Sequence, residues 1–340
     1  MPAAPSRSIG LAYLATSHPH FAGRADSLKT IPGVKVIGVH DRDRERAAAA
    51  AAKYGGRVDS ARSLLADPAV EYVLIEGENG ENLDLALACA AARKPFLVDK
   101  PGAPNPDGVR KLKAAVDEAK VFAQVGYHMR YSPVVAPVER IFREKLLGEI
   151  SLVRFHASTP AGALRDFWFT RPEDMGGLVF LDSCHVLDLA VSLLGRPTTT
   201  KAEIAKYEDG GHIFEDAAAV IFRFGKRTLG TMGLTGWEAN WWVETWDMAF
   251  FGTEGTLYLG IHPPWYRLYL KEARGEGYLR GWNEFSEPTF PGERNYLYEQ
   301  EDVVARIARG EKTPRVTVDH ALAVVETIDE IYRAAGGAPR

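Results

Sequence analysis

The sequence predicts an α/β region followed by an α+β region, and three observations lead to this prediction. In the first third of the chain, short apolar runs alternate with helical stretches rich in alanine. Past about residue 128 the alternation stops, and strand-like runs joined by short turns follow. The 340 residues are enough for two domains. We therefore expect a doubly wound parallel sheet over 1–128, and over 129–340 an open, mostly antiparallel sheet with helices on one face.

The N-terminal elements follow one another at regular intervals. Five apolar runs predict strands at 9–14, 34–40, 71–77, 94–98 and 121–125. The intervening stretches 43–55, 81–93 and 106–120 are rich in good helix formers. Strands that are apolar throughout are typical of a parallel sheet covered on both faces. Right-handed crossovers then give a Rossmann-like sheet, whose ligand crevice lies beyond the carboxyl ends of the strands.

The C-terminal elements have a different order. A helix over 133–148 precedes a strand over 149–158. A hairpin is predicted around Gly225-Lys226, and further strands at 244–260 and 265–273. Helices near 295–309 and 318–335 end the chain and are expected to pack back on the N-terminal domain.

Composition excludes several classes of partner. A formal net charge of −4 gives no reason to expect nucleic acid or an anionic membrane. No apolar segment is long enough to cross a bilayer, and the first residues lack the pattern of a signal peptide. Cys89 and Cys184 lie in apolar helical stretches, which indicates buried free thiols. These features predict a cytoplasmic protein.

The loop after the first strand has the position of a phosphate-binding loop, but it reads "LATSHPHFAG". Thr16 and Ser17 offer hydroxyl groups, and Pro19 suits a first helical turn, so the loop is able to hold a pyrophosphate at a helix N-terminus. His18 and His20 form an H-x-H pair typical of some metal sites. Neither a carboxylate nor a cysteine is near them in sequence, and we predict no metal.

Asp41 ends the second predicted strand, where an acidic residue binds the ribose hydroxyls of NAD. The alternative is that Asp41 caps the following helix. The neighbouring Arg42 would suit the 2′-phosphate of NADP. Both cofactors therefore stay open, with NAD favoured by Asp41.

A second motif is "MGGLVFLDSCHVLDLAVSLLG", which begins with two glycines and continues as a helix to Gly195. Asp182 and His185 are three residues apart and share one helix face, and Asp188 continues the row. An imidazole held by a carboxylate is a suitable general base near neutral pH. The alternative is a core histidine with satisfied hydrogen bonds beside a capping aspartate.

Several segments together resemble one known family. They are "VHDRDRERA", "LVDKP", "GYHMRYSP", "FEDAAAVIFRF", "FFGTEGTLYL" and "TPRVTVDHALAVVETIDEIYRAA". In order and spacing they are similar to the second-strand end, the E-K-P motif, the G-[FY]-x-x-R-[FY] segment, the sheet and the C-terminal helix of the glucose–fructose oxidoreductase, inositol dehydrogenase and rhizopine-catabolism (Gfo/Idh/MocA) family. The resemblance covers nearly the whole chain.

The resemblance implies roles for individual residues. Lys100 matches the lysine that polarises the substrate hydroxyl and relays its proton, and Pro101 holds its backbone extended. His185 matches the histidine that takes the alcohol proton, with Asp182 as its orienting carboxylate. The implied cofactor contacts are Thr16, Ser17, His18, His20, Asp41, Arg42, Glu78, Asn79, Asn82, Asp99, Lys100, Pro101 and Arg130. The implied substrate contacts are Lys100, His128, Arg130, His156, Arg165, Trp168, Asp182 and His185.

The chain departs from the family pattern at four places. Ala12, Leu14 and Ser17 stand where the fingerprint glycines would be when His20 is aligned with the family histidine. Asp99 replaces the glutamate of E-K-P, and 77–82 replaces the family's T-P-x-x-x-H. Asp182 lies one residue closer to His185 than the family aspartate does, a rotation of roughly 100° on a helix.

The function implied is an NAD(P)-dependent oxidoreductase that moves hydride between nicotinamide and a secondary alcohol of a sugar, inositol or sugar acid. The alternative is a non-catalytic dinucleotide- or sugar-binding regulatory protein on the same fold. A polyhydroxylated small molecule is the expected partner. The four tryptophans of 236–246 favour a core or subunit interface over sugar stacking, and we expect a homodimer or homotetramer formed through the C-terminal sheet.

Overall fold

A computed structural model describes residues 7–159, 177–207, 214–238 and 246–337. The chain divides into two compact units. The first comprises Met1–His128 and Glu293–Leu322, and the second comprises Met129–Gly292 and Ala323–Arg340. The boundary within the last helix falls between Leu322 and Ala323.

The first unit is built on a parallel sheet of six strands. Its elements are β1 (Ile9–Leu14), α1 (His20–Thr30), β2 (Val34–His40), α2 (Arg44–Tyr54), β3 (Arg57–Val58), α3 (Ala61–Ala66), β4 (Tyr72–Ile75), α4 (Asn79–Ala91), β5 (Phe96–Asp99), α5 (Pro106–Ala119) and β6 (Ala123–Gly126). The strand order is β3-β2-β1-β4-β5-β6, and every described pair is parallel. This arrangement confirms the predicted Rossmann-like sheet.

The second unit contains an eight-stranded sheet. After a short 3-10 helix (His128–Tyr131) come α6 (Val135–Arg143), β7 (Ile150–Ser158), α7 (Leu178–Leu181), α8 (Ser183–Leu194), β8 (Pro197–Ala205), β9 (Ala217–Phe224), β10 (Thr228–Thr235), β11 (Asp247–Gly252), β12 (Gly255–Gly260), β13 (Trp265–Leu270) and β14 (Gly281–Ser286). The order is β14-β13-β12-β11-β7-β10-β9-β8, and only β7 and β10 are parallel among the described pairs. The prediction of a mostly antiparallel sheet is confirmed.

Two helices follow, α9 (Arg294–Ala308) and α10 (Val318–Ala334). Val303, Val304 and Ile307 of α9 are buried in the same core as Ile9 and Leu11 of β1. Burying side chains of this kind stabilises the folded state by about 1.5–3 kcal/mol each. The core of the first unit therefore combines its sheet with a helix far away in sequence.

Polar residues set the limits of the helices. The Asp43 side chain accepts hydrogen bonds from the amides of Glu45 and Arg46 at the start of α2, and Gly55 follows its end with a φ of 90°. Asn105 caps α5 in the same way, with Pro106 at its first position.

No helix in the described ranges is both long and apolar enough to cross a membrane. Cys89 and Cys184 are buried, and neither forms a disulfide bond.

Candidate active site

Many of the predicted site residues lie in the first unit, at or near the carboxyl ends of its parallel strands. They are Thr16, Ser17, His18, His20, Asp41, Arg42, Glu78, Asn79, Asn82, Asp99, Lys100, Pro101 and His128. Arg130, His156, Asp182 and His185 belong to the second unit. Arg165 and Trp168 lie outside the described residues.

A buried arginine of α1 joins three carboxyl groups beneath these strand ends. The Arg24 guanidinium donates to Glu76 at 2.7 Å, to Glu299 at 2.6 Å and to Asp99. It also donates to the carbonyl oxygen of Gly126 at 2.7 Å. All four side chains are fully buried, and we call them the Arg24 cluster. A single cation therefore holds together the ends of β4, β5 and β6 and the helix α9.

Burial and charge decide which members of the Arg24 cluster stay ionised. Burial raises the pKa of Glu76 well above its ordinary value, and Arg24 opposes this only in part. The pKa of Glu299 is raised for the same reason. Burial would also raise the pKa of Asp99, but the neighbouring His18, His20 and Arg24 lower it well below its ordinary value. Asp99 is therefore the carboxylate of the cluster that carries the negative charge.

Asp99 also orients two histidines. Nδ1 of His20 lies 3.0 Å from Oδ1 of Asp99, and Nε2 of His18 lies 3.2 Å from Oδ2. Nδ1 of His18 accepts a hydrogen bond from the backbone amide of His20. Because this nitrogen accepts, the proton of neutral His18 belongs on Nε2 and faces Asp99. By the same reasoning an ionised Asp99 places the proton of His20 on Nδ1.

The structure supplies the carboxylate that the H-x-H pair lacked in sequence. Potential ligand atoms of His18, His20 and Asp99 all lie within 4.8 Å of one another. A metal ligand must present a lone pair, and its other ring nitrogen normally donates a hydrogen bond. His18 does the opposite, because its Nδ1 accepts. The hydrogen bonds thus favour two imidazoles that donate to one carboxylate over a metal centre, and burial lowers the pKa of both histidines.

The loop between β1 and α1 uses most of its own amide groups. Ala15 adopts a φ of 59°, and its amide donates to the carbonyl of His40. The His18 amide donates to the carbonyl of Glu76, and the Phe21 amide donates to the carbonyl of His18. Gly77 makes room for this loop, because a Cβ there would lie 2.7 Å from that of Ala15. The loop is therefore tightly packed in the absence of fingerprint glycines.

Asp41 is engaged by four donors of its own chain. Its carboxylate accepts from the amide and hydroxyl of Thr16 at 2.8 and 2.7 Å. It also accepts from the amide of Asp43 at 2.8 Å and from Arg46 at 2.9 Å. Asp43 caps α2, so Asp41 is not the helix cap. A carboxylate has about four acceptor positions, and all of them are used here.

The loop before α4 is also held internally. The Asn82 side chain accepts from the amide of Gly77 at 2.7 Å and donates to its carbonyl at 3.0 Å. Arg42 forms an ion pair with Glu78, the residue preceding α4. Asn82 and Glu78 therefore shape the loop that the family pattern fills with T-P-x-x-x-H.

Lys100 follows β5 directly and is only 3% exposed. Burial is the main cause of the lowered pKa of His18 and His20, and the charge of Lys100 lowers it further. The strand fixes its position, because Asp99 pairs with Gly126 of β6. A buried lysine at this end of a parallel sheet is well placed for proton traffic.

In the second unit, His185 lies in the first turn of α8 and is buried. Asp182 precedes α8, and the helical run is broken there, so α7 ends at Leu181. The His185 amide donates to the carbonyl of Asp182 at 3.2 Å. The His185 ring lies 5.3 Å from that of buried Trp246, at 32°. Trp246 is thus a core residue, whereas Trp237 is exposed.

Two further predicted residues of the second unit have acidic partners. Arg130 approaches Asp188 at 3.4 Å and Glu139 at 3.7 Å. Nε2 of His156 lies 2.9 Å from Glu238. Arg130 and His156 therefore each lie next to a carboxylate.

Glu215 is a functional candidate that the sequence did not reveal. Its Oε1 accepts from the Val179 amide at 2.8 Å and from the Tyr332 hydroxyl at 2.7 Å. Burial raises the pKa of Glu215 to about 7, and these hydrogen bonds oppose the rise. A Cβ at Gly177 would lie 2.2 Å from Oε2, so a larger residue there would displace the carboxylate of Glu215.

Sequence reasoning also missed Arg24, Glu76 and Glu299. One signal was present, since Arg24 lies on the helix face that carries Phe21, Ala25 and Leu28. An arginine at a core-facing position needs a buried partner. The partners come from distant parts of the chain, and nothing in the sequence connects them.

Two family models match the chain. The oxidoreductase family with an NAD-binding Rossmann fold matches residues 9–127, and the GFO/IDH/MocA C-terminal domain matches residues 135–258. Inositol 2-dehydrogenase 2 of Saccharopolyspora erythraea is 30% identical over 186 residues, which is 52% of each chain. Trans-1,2-dihydrobenzene-1,2-diol dehydrogenase of Xenopus laevis is 26% identical over 59% of this chain and 62% of its own. The matched regions thus span between half and two thirds of these relatives.

Solved structures agree in fold. A levoglucosan dehydrogenase in complex with NADH and levoglucosan superposes with a TM-score of 0.85 at 18% identity, over 97% of this chain and 98% of its own. At this identity the similarity concerns the fold. Together with the two family models, these matches show that the chain belongs to the Gfo/Idh/MocA oxidoreductase family, with its NAD-binding Rossmann domain and its C-terminal domain.

Proposed function

We propose that this protein is an NAD(P)-dependent oxidoreductase that transfers hydride between nicotinamide and a secondary alcohol of a sugar, inositol or sugar acid. The observation that carries the proposal is buried Lys100 at the carboxyl end of β5, where Rossmann proteins bind their ligand. Membership of the oxidoreductase family and the names of relatives support the reaction class and the polyhydroxylated substrate.

The residues around the first loop fit a dinucleotide in part. The buried Ser17 hydroxyl has no hydrogen-bond partner within the described ranges, and it lies in the loop that precedes α1. A phosphate oxygen would satisfy it, and the N-terminus of α1 favours a negative charge. Asp41 fits less well, because its four acceptor positions are filled. We propose that the Ser17 hydroxyl holds the pyrophosphate, and that Thr16 joins it only when its amide and hydroxyl leave Asp41. Asp41 then supports the loop and reaches the ribose only on rearrangement.

When bound, the nicotinamide would supply the hydride acceptor. We propose that Lys100 polarises the substrate hydroxyl and takes part in moving its proton. His185, with Asp182 beside it, is proposed as the general base of the second unit. Asp182 occupies the residue before α8, where a negative charge is favoured by the helix dipole.

The remaining predicted residues are proposed as binding groups. Glu78, Asn79, Asn82, Asp99 and Pro101 would line the cofactor side, with Arg42 able to reach a 2′-phosphate only by leaving Glu78. His128, Arg130 and His156 would contact substrate hydroxyl or carboxylate groups. A cytoplasmic location is also proposed, and the two buried cysteines, Cys89 and Cys184, support it because they form no disulfide bond.

One face of the C-terminal sheet supports a homo-oligomer. Leu152 and Leu229 are direct partners on β7 and β10, and both are exposed. Tyr269 and Trp282 pair in the same way on β13 and β14. Register places these side chains on the same face of the sheet as exposed Ile221. Several exposed apolar side chains on one face of a sheet are typical of a protein–protein interface. We propose that a second copy of the chain packs against this face.

A non-catalytic regulatory protein is the second candidate. The filled acceptor positions of Asp41 and the engaged amides of the β1–α1 loop favour it, because both reduce the donors and acceptors left for cofactor. Such a protein would bind a dinucleotide or sugar and show no turnover.

Turnover separates the two candidates. Purified protein would be mixed with NAD or NADP and a panel of polyols, aldoses, inositols and sugar acids, and reduced cofactor measured by its absorbance. We expect one substrate class to be oxidised, and Lys100→Met to abolish turnover while cofactor affinity stays within a few-fold. Binding of cofactor without turnover of any panel member would support the regulatory protein, and full activity of Lys100→Met would refute the role of Lys100.

A further inference from the structure

The first turn of α7 depends on one buried carboxyl group from another part of the chain. Oε1 of Glu215 accepts a hydrogen bond from the Val179 amide at 2.8 Å. The Phe180 amide donates to the hydroxyl of Tyr332 at 3.3 Å, and this hydroxyl donates to the same Oε1 at 2.7 Å. The first amides of a helix have no partner within the helix. Glu215 and Tyr332 therefore supply two acceptors that the helix itself lacks.

Close packing fixes the carboxyl group of Glu215. Glu215 and Val179 are fully buried, and Tyr332 is nearly so. A Cβ at Gly177 would lie 2.2 Å from Oε2 of Glu215 and 2.4 Å from the hydroxyl oxygen of Tyr332. The backbone that leads into α7 thus packs directly against both acceptors. Because the contact is buried, an amide that lost its acceptor would stay unsatisfied unless the helix moved.

Val179 connects this contact to the proposed general base. Its amide donates to Glu215, and its carbonyl accepts from the hydroxyl of Ser183, the first residue of α8. The Asp182 amide donates to the first carbonyl of α7 at 2.9 Å, and the His185 amide donates to the carbonyl of Asp182 at 3.2 Å. Backbone and hydrogen bonds therefore link Glu215 to the turn that carries His185.

We propose that Glu215 is a positioning residue, which fixes the helical turn that carries Asp182 and His185 and thereby sets kcat. The inference rests on the proposed function, in which His185 is the general base. A displacement of about 1 Å at a catalytic group is able to cost about 10²-fold in rate. Glu215 takes no proton from the substrate. The turn needs an acceptor oxygen from it, and glutamine supplies one as well.

The ionisation of Glu215 should leave this role intact. The titratable groups that face it in the described part of the chain are Tyr332 of α10 and the neighbouring Asp216. Oε1 accepts its hydrogen bonds whether Glu215 is ionised or carries a proton on Oε2. The pH profile of kcat therefore separates a positioning residue from an acid–base group.

The first test observes α7 itself. Hydrogen exchange of peptides that cover α7 would be measured by mass spectrometry in the wild type, Glu215→Gln and Glu215→Leu. Leucine has a similar size but offers no acceptor, so the α7 amides should exchange faster than in the wild type. Glutamine should leave their exchange near that of the wild type. Wild-type exchange in Glu215→Leu would overturn the proposal.

The second test measures turnover of the substrate class that the panel identifies, per site that binds NADH, so that unfolded protein is not counted. Glu215→Leu is expected to lower kcat by about 10²-fold with KM within about threefold, whereas Glu215→Gln should keep the wild-type kcat and pH profile. Tyr332→Phe removes only the hydroxyl and should lower kcat by a smaller factor. The matched control Glu330→Gln removes an ion pair between α10 and Arg196 and should behave as the wild type.

The outcomes distinguish the positioning role from the function on which it rests. Wild-type kcat in Glu215→Leu, or a lost kcat in Glu215→Gln, would refute the positioning role and leave the oxidoreductase intact. If Glu215→Leu does not fold, Tyr332→Phe decides, and a wild-type kcat in that variant would refute the role. A wild-type protein that turns over no member of the panel would refute the proposed function, and the inference with it.

Discussion

Burial and local donors decide the charge of each acidic residue. Asp99 is fully buried, yet two imidazoles and a guanidinium lower its pKa well below the ordinary value. Glu215 is equally buried, but the side-chain donor that the described residues offer it is a neutral phenol, with backbone amides beside it, and its pKa rises to about 7. A buried guanidinium and imidazole donors beside a carboxylate therefore separate a permanent anion from a group that titrates near neutrality.

Asp41 provides a test at the residue scale. We expect Asp41→Asn to weaken NAD and NADP by a similar factor, because the carboxylate holds Thr16, Asp43 and Arg46. Loss of such buried hydrogen bonds costs about 1–3 kcal/mol, or roughly 5- to 150-fold in affinity. Titration with each cofactor by calorimetry measures the change.

The matched control for Asp41 is Asp43→Asn, since asparagine caps a helix as well as aspartate does. The affinities of the Asp43→Asn variant for NAD and NADP should stay near those of the wild type. A variant Asp41→Asn that loses NAD while binding NADP tenfold better would contradict this account, since the carboxylate would then be a ribose ligand and not a support for the loop.

Single residues also set the limit of sequence reasoning. Lys100 was predicted from its motif, and its position after β5 follows from the apolar run before it. Arg24 was not found, because its partners Glu76 and Glu299 are 52 and 275 residues away in sequence. Pairing at that distance depends on the tertiary fold, which no local pattern contains.

Among elements, Glu215 connects the start of α7 with α10. The Val179 amide and the Tyr332 hydroxyl both donate to it. The unfolded carboxyl titrates near its ordinary value of 4.5 and the folded one near 7. Between these pH values only the unfolded state is ionised, so the free energy of unfolding falls as pH rises.

The corresponding prediction concerns Glu215→Gln. The wild type should lose roughly 3 kcal/mol of stability between pH 4.5 and 7 relative to this variant. Glutamine keeps an acceptor for the Val179 amide and has no charge to bury. Urea unfolding of both proteins at several pH values gives the difference. Parallel pH dependences for the two proteins would show that Glu215 does not titrate in this range.

Long apolar strands were predictable from the sequence, whereas short polar strands and helices were not. The strands Ile9–Leu14 and Val34–His40 coincide with the predicted runs, because apolar strands in a parallel sheet are continuous. Strand Arg57–Val58 is only two residues long, and both are exposed. Helix Ala61–Ala66 is six residues long. Both are too short for a strand or helix periodicity to show in the sequence. The Asp182–His185 motif was predicted within one helix, but the helix begins at Ser183.

At the scale of the molecule, the proposed assembly depends on the exposed face of the C-terminal sheet. Leu229 is 41% exposed and lies beside Leu152. We expect Leu229→Lys to dissociate the wild-type oligomer into single chains, because a charge would have to be buried in the interface. Light scattering after size-exclusion chromatography measures the mass against 37.4 kDa per chain.

Leu279→Lys is the matched control for this substitution. Leu279 is 69% exposed and lies outside the strands of the sheet. The mass of the Leu279→Lys protein in solution should equal that of the wild type. A wild-type protein of single-chain mass, or a Leu229→Lys variant with the wild-type mass, would rule out assembly through this face.

Family membership followed from the order of several weak motifs along the chain, none of which is sufficient alone. The rearranged first loop could not be predicted in the same way. Its packing depends on Gly77, on the left-handed backbone of Ala15 and on Asp41, which come from three separate strand ends. The sequence therefore predicts where the site is, and tertiary contacts determine which of its groups are available.

Hydride transfer itself is the most direct test of the central claim. A panel of polyols, inositols and aldoses deuterated at their secondary carbons would be incubated with NAD or NADP and the wild type, and the cofactor analysed by mass spectrometry. We predict that one substrate class transfers deuterium to the cofactor with the wild type and that none does so with Lys100→Met. Absence of deuterium from the cofactor, in protein that binds both ligands, would contradict the assignment of an oxidoreductase.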